Sequence, residues 1–330
     1  MSTGVAYFGN RILRHVAADM EDLASRGFTG VLHTFSENDL AYYRGTMQQI
    51  VASSHEAGLE VQLDPWGVGL VFGGEAESRF TAAYPELGQV LADGRRVGAA
   101  CLNRPEFRAL LRSWADAALD TGADRLFWDE PHWAGPGVIG VERGSWGCVC
   151  ELCEAGFRER FGAPMPRTRT PEVEAFRTAS MVSFLSDIVE HAAGSGARST
   201  LCLTPGEGTP THWNTLGAIT GLDTLAASPY WARSGQPTTA YVGRVAQEVR
   251  RLADAHRLTA QLWIQGFGLG PADSDDIRAA VQAAQQAGTD ELWTWGYEAC
   301  GHMDALGTVE AGTVWAALTA ALTRPPPSPS

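Results

Sequence analysis

No apolar run in this chain approaches the ~20 residues that a membrane span needs. The opening MSTGVAYFGN has no basic segment ahead of an apolar one, and a strand begins by Val5, so no signal peptide fits and a cytoplasmic location is expected. Arg and Lys are not clustered at any strand end, which argues against a phosphorylated substrate. The turn after the first strand, FGNRIL, lacks the glycines of a nucleotide cradle. Basic charge is in deficit overall, with 25 Lys and Arg against 38 acids and a net charge of -13. An acidic surface disfavours nucleic acid and anionic membranes as partners. What is plentiful is apolar surface, at 45% of 330 residues, and tryptophan, with 11. Tryptophan either fills a core or offers a flat apolar face to the C–H side of a pyranose.

Short β-type runs alternate with helical patterns along the whole chain. The runs are VAYFG (5–9), GVLHTF (30–35), LEVQLDPW (59–66), RLFWDE (125–130), STLCLTP (199–205), TLAASPYW (224–231), TAQLWIQGF (259–267) and ELWTWGYE (291–298). Each precedes an amphipathic stretch, among them Pro105–Thr121, Thr238–His256 and Val309–Leu322. Strands that alternate with helices imply a parallel sheet, and eight such units imply closure into a single (β/α)8 TIM barrel, an α/β fold. Gly27, Gly58, Gly122, Gly196 and Gly288 stand where helices should stop, the position at which a left-handed residue ends a helix. The barrel is expected over 1–323, with the Pro/Ser-rich 324–330 as a disordered tail.

In such barrels chemistry sits at the C-terminal strand ends. Those ends carry Phe8 and Asn10; His33 and Glu37; Asp64 and Trp66; Asp129, Glu130, His132 and Trp133; Thr204 and Glu207; Tyr230 and Trp231; Trp263 and Gln265; and Trp295, Tyr297 and Glu298. Carboxylates, amides and aromatics of this kind suit a neutral sugar, so a small carbohydrate is the expected substrate. Glycoside hydrolysis needs two carboxyl groups, one protonated to assist the leaving group and one to attack or to activate water. Glu130 is the first choice for the acid, because Trp128 and Trp133 beside it would desolvate it. Glu298 is the best-placed partner, with Asp129 and Asp64 as alternatives. Asp64, Trp66, His33, His132, Trp133, Tyr230, Trp263, Gln265, Trp295 and Tyr297 are candidate substrate contacts, each weighed against core packing or turn capping. Glu75, in the Gly-rich FGGEAESRF loop, is a candidate lid residue.

Six cysteines in a reducing compartment favour thiols or metal over disulfides. Cys148, Cys150 and Cys153 form C-x-C-x-x-C, which suits one soft cation, and tetrahedral zinc requires a fourth ligand. Cys101, in the loop before the third helix, is the candidate, and a closed site of four sulfurs is structural. The alternative is four unliganded thiols. Cys202 and Cys300, in or beside apolar strands, are expected to be buried thiols.

The segments Cys101-Leu-Asn-Arg-Pro-Glu-Phe-Arg and Cys148-Val-Cys150-Glu-Leu-Cys153, running on to Phe161-Gly162, resemble the barrel domain of glycoside hydrolase family 42. The resemblance is specific over 95–162 and architectural elsewhere. It implies a structural zinc on the four cysteines and an acid/base role for Glu130, with Asp129 where that family has Asn. The family's nucleophile, a Glu ending strand seven, has no counterpart, since that strand ends in Gln265. The expectation is therefore a single-barrel relative that hydrolyses a glycosidic bond. A non-catalytic carbohydrate-binding barrel, or a sugar lyase or isomerase using the same acids, is the alternative. A homo-oligomer remains open.

Overall fold

The computed structural model describes residues 1–74, 76–135, 141–142, 144–205 and 210–323. Glu75, Glu207 and the tail 324–330 lie outside the described residues. Eight parallel strands close on themselves: Ser2–Tyr7, Gly30–Thr34, Glu60–Asp64, Arg125–Asp129, Arg198–Leu203, Thr224–Ala227, Thr259–Gln265 and Glu291–Trp295. Helices pack round the outside, and the expected (β/α)8 barrel is the observed fold. No helix among the described residues is long and apolar enough to cross a membrane.

The outer helices form for ordinary reasons. Pro105–Leu119 starts on a proline at its first turn, where the missing N–H costs nothing. It buries Phe107, Leu111, Trp114, Ala115 and Ala118, a stripe at helical spacing, against the barrel. The five glycines expected to end helices all have positive φ, between 78° and 91°.

Several elements escaped the sequence pattern, among them a short helix at Arg79–Ala83. The Gly-rich excursion after the third strand contains a short antiparallel pair, Gly88–Val90 with Arg96–Ala100. The cysteine loop contains a helix, Glu151–Phe161. Each is too short, or too weakly amphipathic, for periodicity to reveal. The second outer helix is also split, at Tyr43, into Glu37–Tyr42 and Arg44–Glu56.

Inward-facing residues alternate along each strand, and the strand registers assign them to layers. The base holds Gly30, Arg125, Thr224 and Glu291, followed by Gly4, Gln62, Thr200 and Gln261. Arg125 donates to Glu291 at 3.1 and 3.2 Å and to the Thr224 hydroxyl at 3.0 Å, so this buried charge is paired. Gln261 donates to Glu291 at 2.7 Å and accepts from the Trp263 indole at 2.8 Å. Above lie Leu32, Phe127, Ala226 and Trp293, and then Ala6, Asp64, Cys202 and Trp263. The mouth layer is Thr34, Asp129, Ser228 and Trp295.

Trp293 fills the barrel only because two neighbouring positions lack a side chain. A Cβ at Gly4 would lie 2.4 Å from its ring, and one at Gly30 2.9 Å. We expect Gly4→Ala to lower the unfolding free energy by about 1–3 kcal/mol through overpacking. Gly45, exposed in a helix with nothing nearby, is the control: Gly45→Ala should be neutral or stabilise by up to ~1 kcal/mol. Denaturant titration of both variants checks the pair.

Candidate active site

Successive residues of a strand point to opposite faces, so Asp129 and Glu130 cannot both face the barrel axis if the strand simply continues. It does not continue. The strand ends at Asp129, and Glu130 takes a left-handed backbone, with φ 42°. Asp129 occupies the mouth layer from its strand position. Glu130 reaches the same mouth through the turn, and its carboxylate accepts the hydroxyl of buried Ser228 from the sixth strand. The Glu130 N–H donates to the Cys202 carbonyl at 3.0 Å, and the Glu130 carbonyl meets His132 Nδ1 at 2.8 Å.

Asp129 is covered by the loop that follows the third strand. Gly73 donates its N–H to the Asp129 carbonyl at 3.0 Å, and a Cβ at Gly73 would lie 2.1 Å from Asp129 Oδ2. That loop is itself clamped by Glu37, whose carboxylate accepts from Gly69 N–H at 2.9 Å, the Ser78 hydroxyl at 2.8 Å and Phe80 N–H at 2.7 Å. Burial, and next the charge of Glu130, hold the Asp129 carboxyl well above the ordinary carboxylate range.

Other members of the mouth are aromatic. Phe8, Trp66 and Trp295 lie nearly parallel, with centroid separations of 5.1 to 5.6 Å and interplanar angles of 5° to 15°. Tyr230 packs edge-on to Phe267 at 5.0 Å, and its hydroxyl is pushed well above its usual value by burial and by Glu130. Asp64 is fully buried one layer beneath the mouth, close enough to Cys202 for its charge to act there, as do the charges of Asp129 and Glu130.

Several expected contacts face elsewhere. His33 points outward to the Ser54 hydroxyl at 2.9 Å, and burial pushes its pKa down to about 3, so it is a neutral residue of the helix–sheet interface. Tyr297 also points outward, with its hydroxyl 3.3 Å from Asp19 on the first helix and its ring against Trp315. Glu298 is exposed on a turn, within electrostatic reach of Arg26 and Tyr297, and is not brought to Glu130. Trp128, invoked to desolvate Glu130, faces outward and donates to Ser199 at 3.2 Å. Trp263 is buried as floor beneath the mouth. Gln265 reaches the mouth, but its amide is spent on backbone: its oxygen accepts from Ala232 N–H at 3.1 Å, and its nitrogen donates to the Phe267 carbonyl at 2.8 Å. Trp133 stacks under Arg177 at 5.5 Å, on the side of the cysteines. Ser228, the contact of Gly73 with Asp129 and the clamping role of Glu37 were missed. Ser228 alone carried a signal, a hydroxyl at a strand end just before proline.

Cys101, Cys148, Cys150 and Cys153 are buried, with their sulfurs within 4.8 Å of one another. Cys101 Sγ is 3.7 Å from Cys150 Sγ and 3.6 Å from Cys153 Sγ. Tetrahedral sulfurs about 2.3 Å from a zinc ion would stand about 3.8 Å apart, so the cluster fits a four-thiolate centre. Cys202 and Cys300 lie apart from it, in the barrel interior, as buried thiols.

The chain matches no family model and no curated protein. Its fold is similar to that of an endo-1,4-beta-mannanase from Rhizomucor miehei, with TM-score 0.65 and 9% identity over 97% of this chain and 93% of that one. An endo-beta-1,4-mannanase from Thermotoga petrophila gives TM-score 0.58 and 10% identity, covering 98% and 77%. GH5_18 from Streptomyces cattleya, solved with GlcNAc, gives 0.56 and 16%, covering 97% and 79%. At these identities the likeness establishes the barrel architecture, one that sugar-cleaving enzymes use.

A raised carboxyl pKa has a definite sign in stability. Ionising Asp129 costs the folded state more than the unfolded one. The penalty is absent below the ordinary value of 3.8 and grows with pH until the folded group itself ionises. Asp129→Asn stays neutral, so its stability relative to the parent should increase from pH ~4 to ~8. Chemical denaturation across that range checks this; a relative loss with rising pH would show that the folded state prefers ionised Asp129.

Proposed function

We propose that the protein is a glycoside hydrolase whose working carboxyl groups are Asp129 and Glu130. The observation that carries the reading is their arrangement. Both face one aromatic-walled mouth, and burial together with the neighbouring charge favours a proton on Asp129. A protonated acid beside a carboxylate is the pair that glycosidic cleavage requires. In this reading Asp129 protonates the leaving oxygen. Glu130, oriented by the Ser228 hydroxyl, attacks or activates water, which reverses the acid role expected for Glu130 from its tryptophan neighbours. The Phe8–Trp66–Trp295 wall and Tyr230 would receive the sugar face, and Asp64 would support the floor. The substrate class proposed is a small oligosaccharide or glycoside. The chain contains no lysine, so it supplies no lysine Schiff base for lyase chemistry.

The resemblance to family 42 supports zinc on the four cysteines, where it would tie the loop holding Cys101 to the segment following Glu130. Gln89 already bridges these, donating to the Ala100 carbonyl and accepting from Ala134 N–H, both at 3.0 Å. A four-thiolate centre leaves no open position, so its contribution is structural.

The observation favouring a non-catalytic sugar-binding barrel is Gln265, an amide at the seventh strand end whose oxygen and nitrogen both bond backbone groups. A panel of aryl glycosides and oligosaccharides separates the readings. Hydrolysis by the parent should fall by about 10²–10⁴ in both Glu130→Gln and Asp129→Asn. Saturable binding without turnover would favour the binding barrel, and a product containing no added water would point to a lyase or isomerase.

A further inference from the structure

The cysteine cluster is set in an apolar environment of Trp146, Val149, Phe157, Met165, Val173 and Phe176. Four thiolates around a divalent ion carry a net charge of about -2, and an uncompensated dianion is costly in such surroundings. Two guanidinium groups stand against it. Arg177 is held between the rings of Trp133 and Trp146, at 5.5 and 5.8 Å, with its side chain 12% exposed. Its Nε has no hydrogen-bond partner among the described residues, and its Nη1 forms an ion pair with Glu174 at 3.5 Å, a carboxylate that Arg169 also holds. Cys148 is near enough for its charge to act on Arg177. Arg104, with its side chain 15% exposed and ion-paired to Glu151 at 2.9 Å, is near enough to Cys150 and Cys101 for their charges to act on it. Two N–H groups complete the surroundings, donating to sulfur: Asn103 Nδ2 to Cys153 at 3.3 Å and Val90 N–H to Cys148 at 3.4 Å.

A buried guanidinium clasped by two indoles, whose carboxylate partner Glu174 is part-exposed and shared with Arg169, is stabilised by a further anion. Neutral thiols do not supply one, and a metal tetrathiolate does. We propose that Arg177 and Arg104 are positioning residues for the metal, the built-in counter-charge of a dianionic four-cysteine centre. The inference rests on the metal reading above and is independent of any sugar chemistry. Loss of either guanidinium loosens the ion while leaving all four ligands in place.

The test uses purified, metal-replete protein, with elemental analysis and the rate of zinc transfer to a chromogenic chelator. Arg177→Met and Arg104→Met should each release metal roughly 10- to 100-fold faster than the parent, the usual scale for groups that support metal ligands. Arg177→Lys, which keeps the charge, should stay near the parent rate. Arg160→Met is the control, since Arg160 is exposed over Phe161 and away from the sulfurs. In cobalt-substituted protein the sulfur-to-cobalt charge-transfer band should shift in Arg177→Met and not in Arg177→Lys, a signature that simple packing loss does not produce. Arg104 is the more accessible group and carries the test if Arg177→Met does not fold. Parental release rates and bands in both Met variants, or equal loss in Arg177→Lys and Arg177→Met, would overturn the proposal. A parent containing no metal would remove the metal reading itself.

Discussion

The site depends on one backbone conformation, the left-handed turn at Glu130. In a continued strand, alternation would send Glu130 into the helix layer, where Trp128 packs. The turn swings it back over the mouth, beside Asp129 and onto the Ser228 hydroxyl. A non-glycine residue in that region costs on the order of 1 kcal/mol. The cost is carried by surroundings that hold both sides of the turn: the Cys202 carbonyl takes the Glu130 N–H, and His132 closes on its carbonyl. Two carboxyl groups are thereby set side by side, and their closeness together with burial favours the proton on Asp129.

The architecture was legible because eight strand–helix units repeat a simple period, with glycines punctuating helix ends. The acid pair was legible because Asp129 and Glu130 close an apolar strand. Which side chains face the axis was not legible. His33 lies next to inward Leu32 on its strand, and Trp128 next to inward Phe127, so each was a single position away from the interior. Tyr297 and Glu298 follow a strand that has already ended, and the turn there carries them toward the first helix. Proximity to a strand end indicates the neighbourhood of a site, whereas membership depends on parity and on the turn that follows.

The covering parts of the site were hidden for a different reason. The Gly88–Ala100 hairpin and the loop bearing Gly73 are fixed by a few long-range contacts, those of Gln89 and Glu37 among them, with no periodic pattern of their own. The cysteine spacing announced a cluster, but nothing in spacing alone indicates that arginines from separate segments would flank it. Such charge complementarity becomes visible only when distant segments are packed together.

The polar base of the barrel bears on how the chain reaches this state. Arg125 pairs with Glu291 across a separation of 166 residues, and Glu291 is linked in turn to Gln261 and Trp263. A piece ending after the fifth strand would keep Arg125 paired to Glu60, at 3.0 Å, but would lack the Thr224 hydroxyl and the Glu291 carboxylate that complete its shell. Closure is thus favoured as a concerted event late in folding, with the last strand acting as keystone rather than as one more addition to a growing sheet.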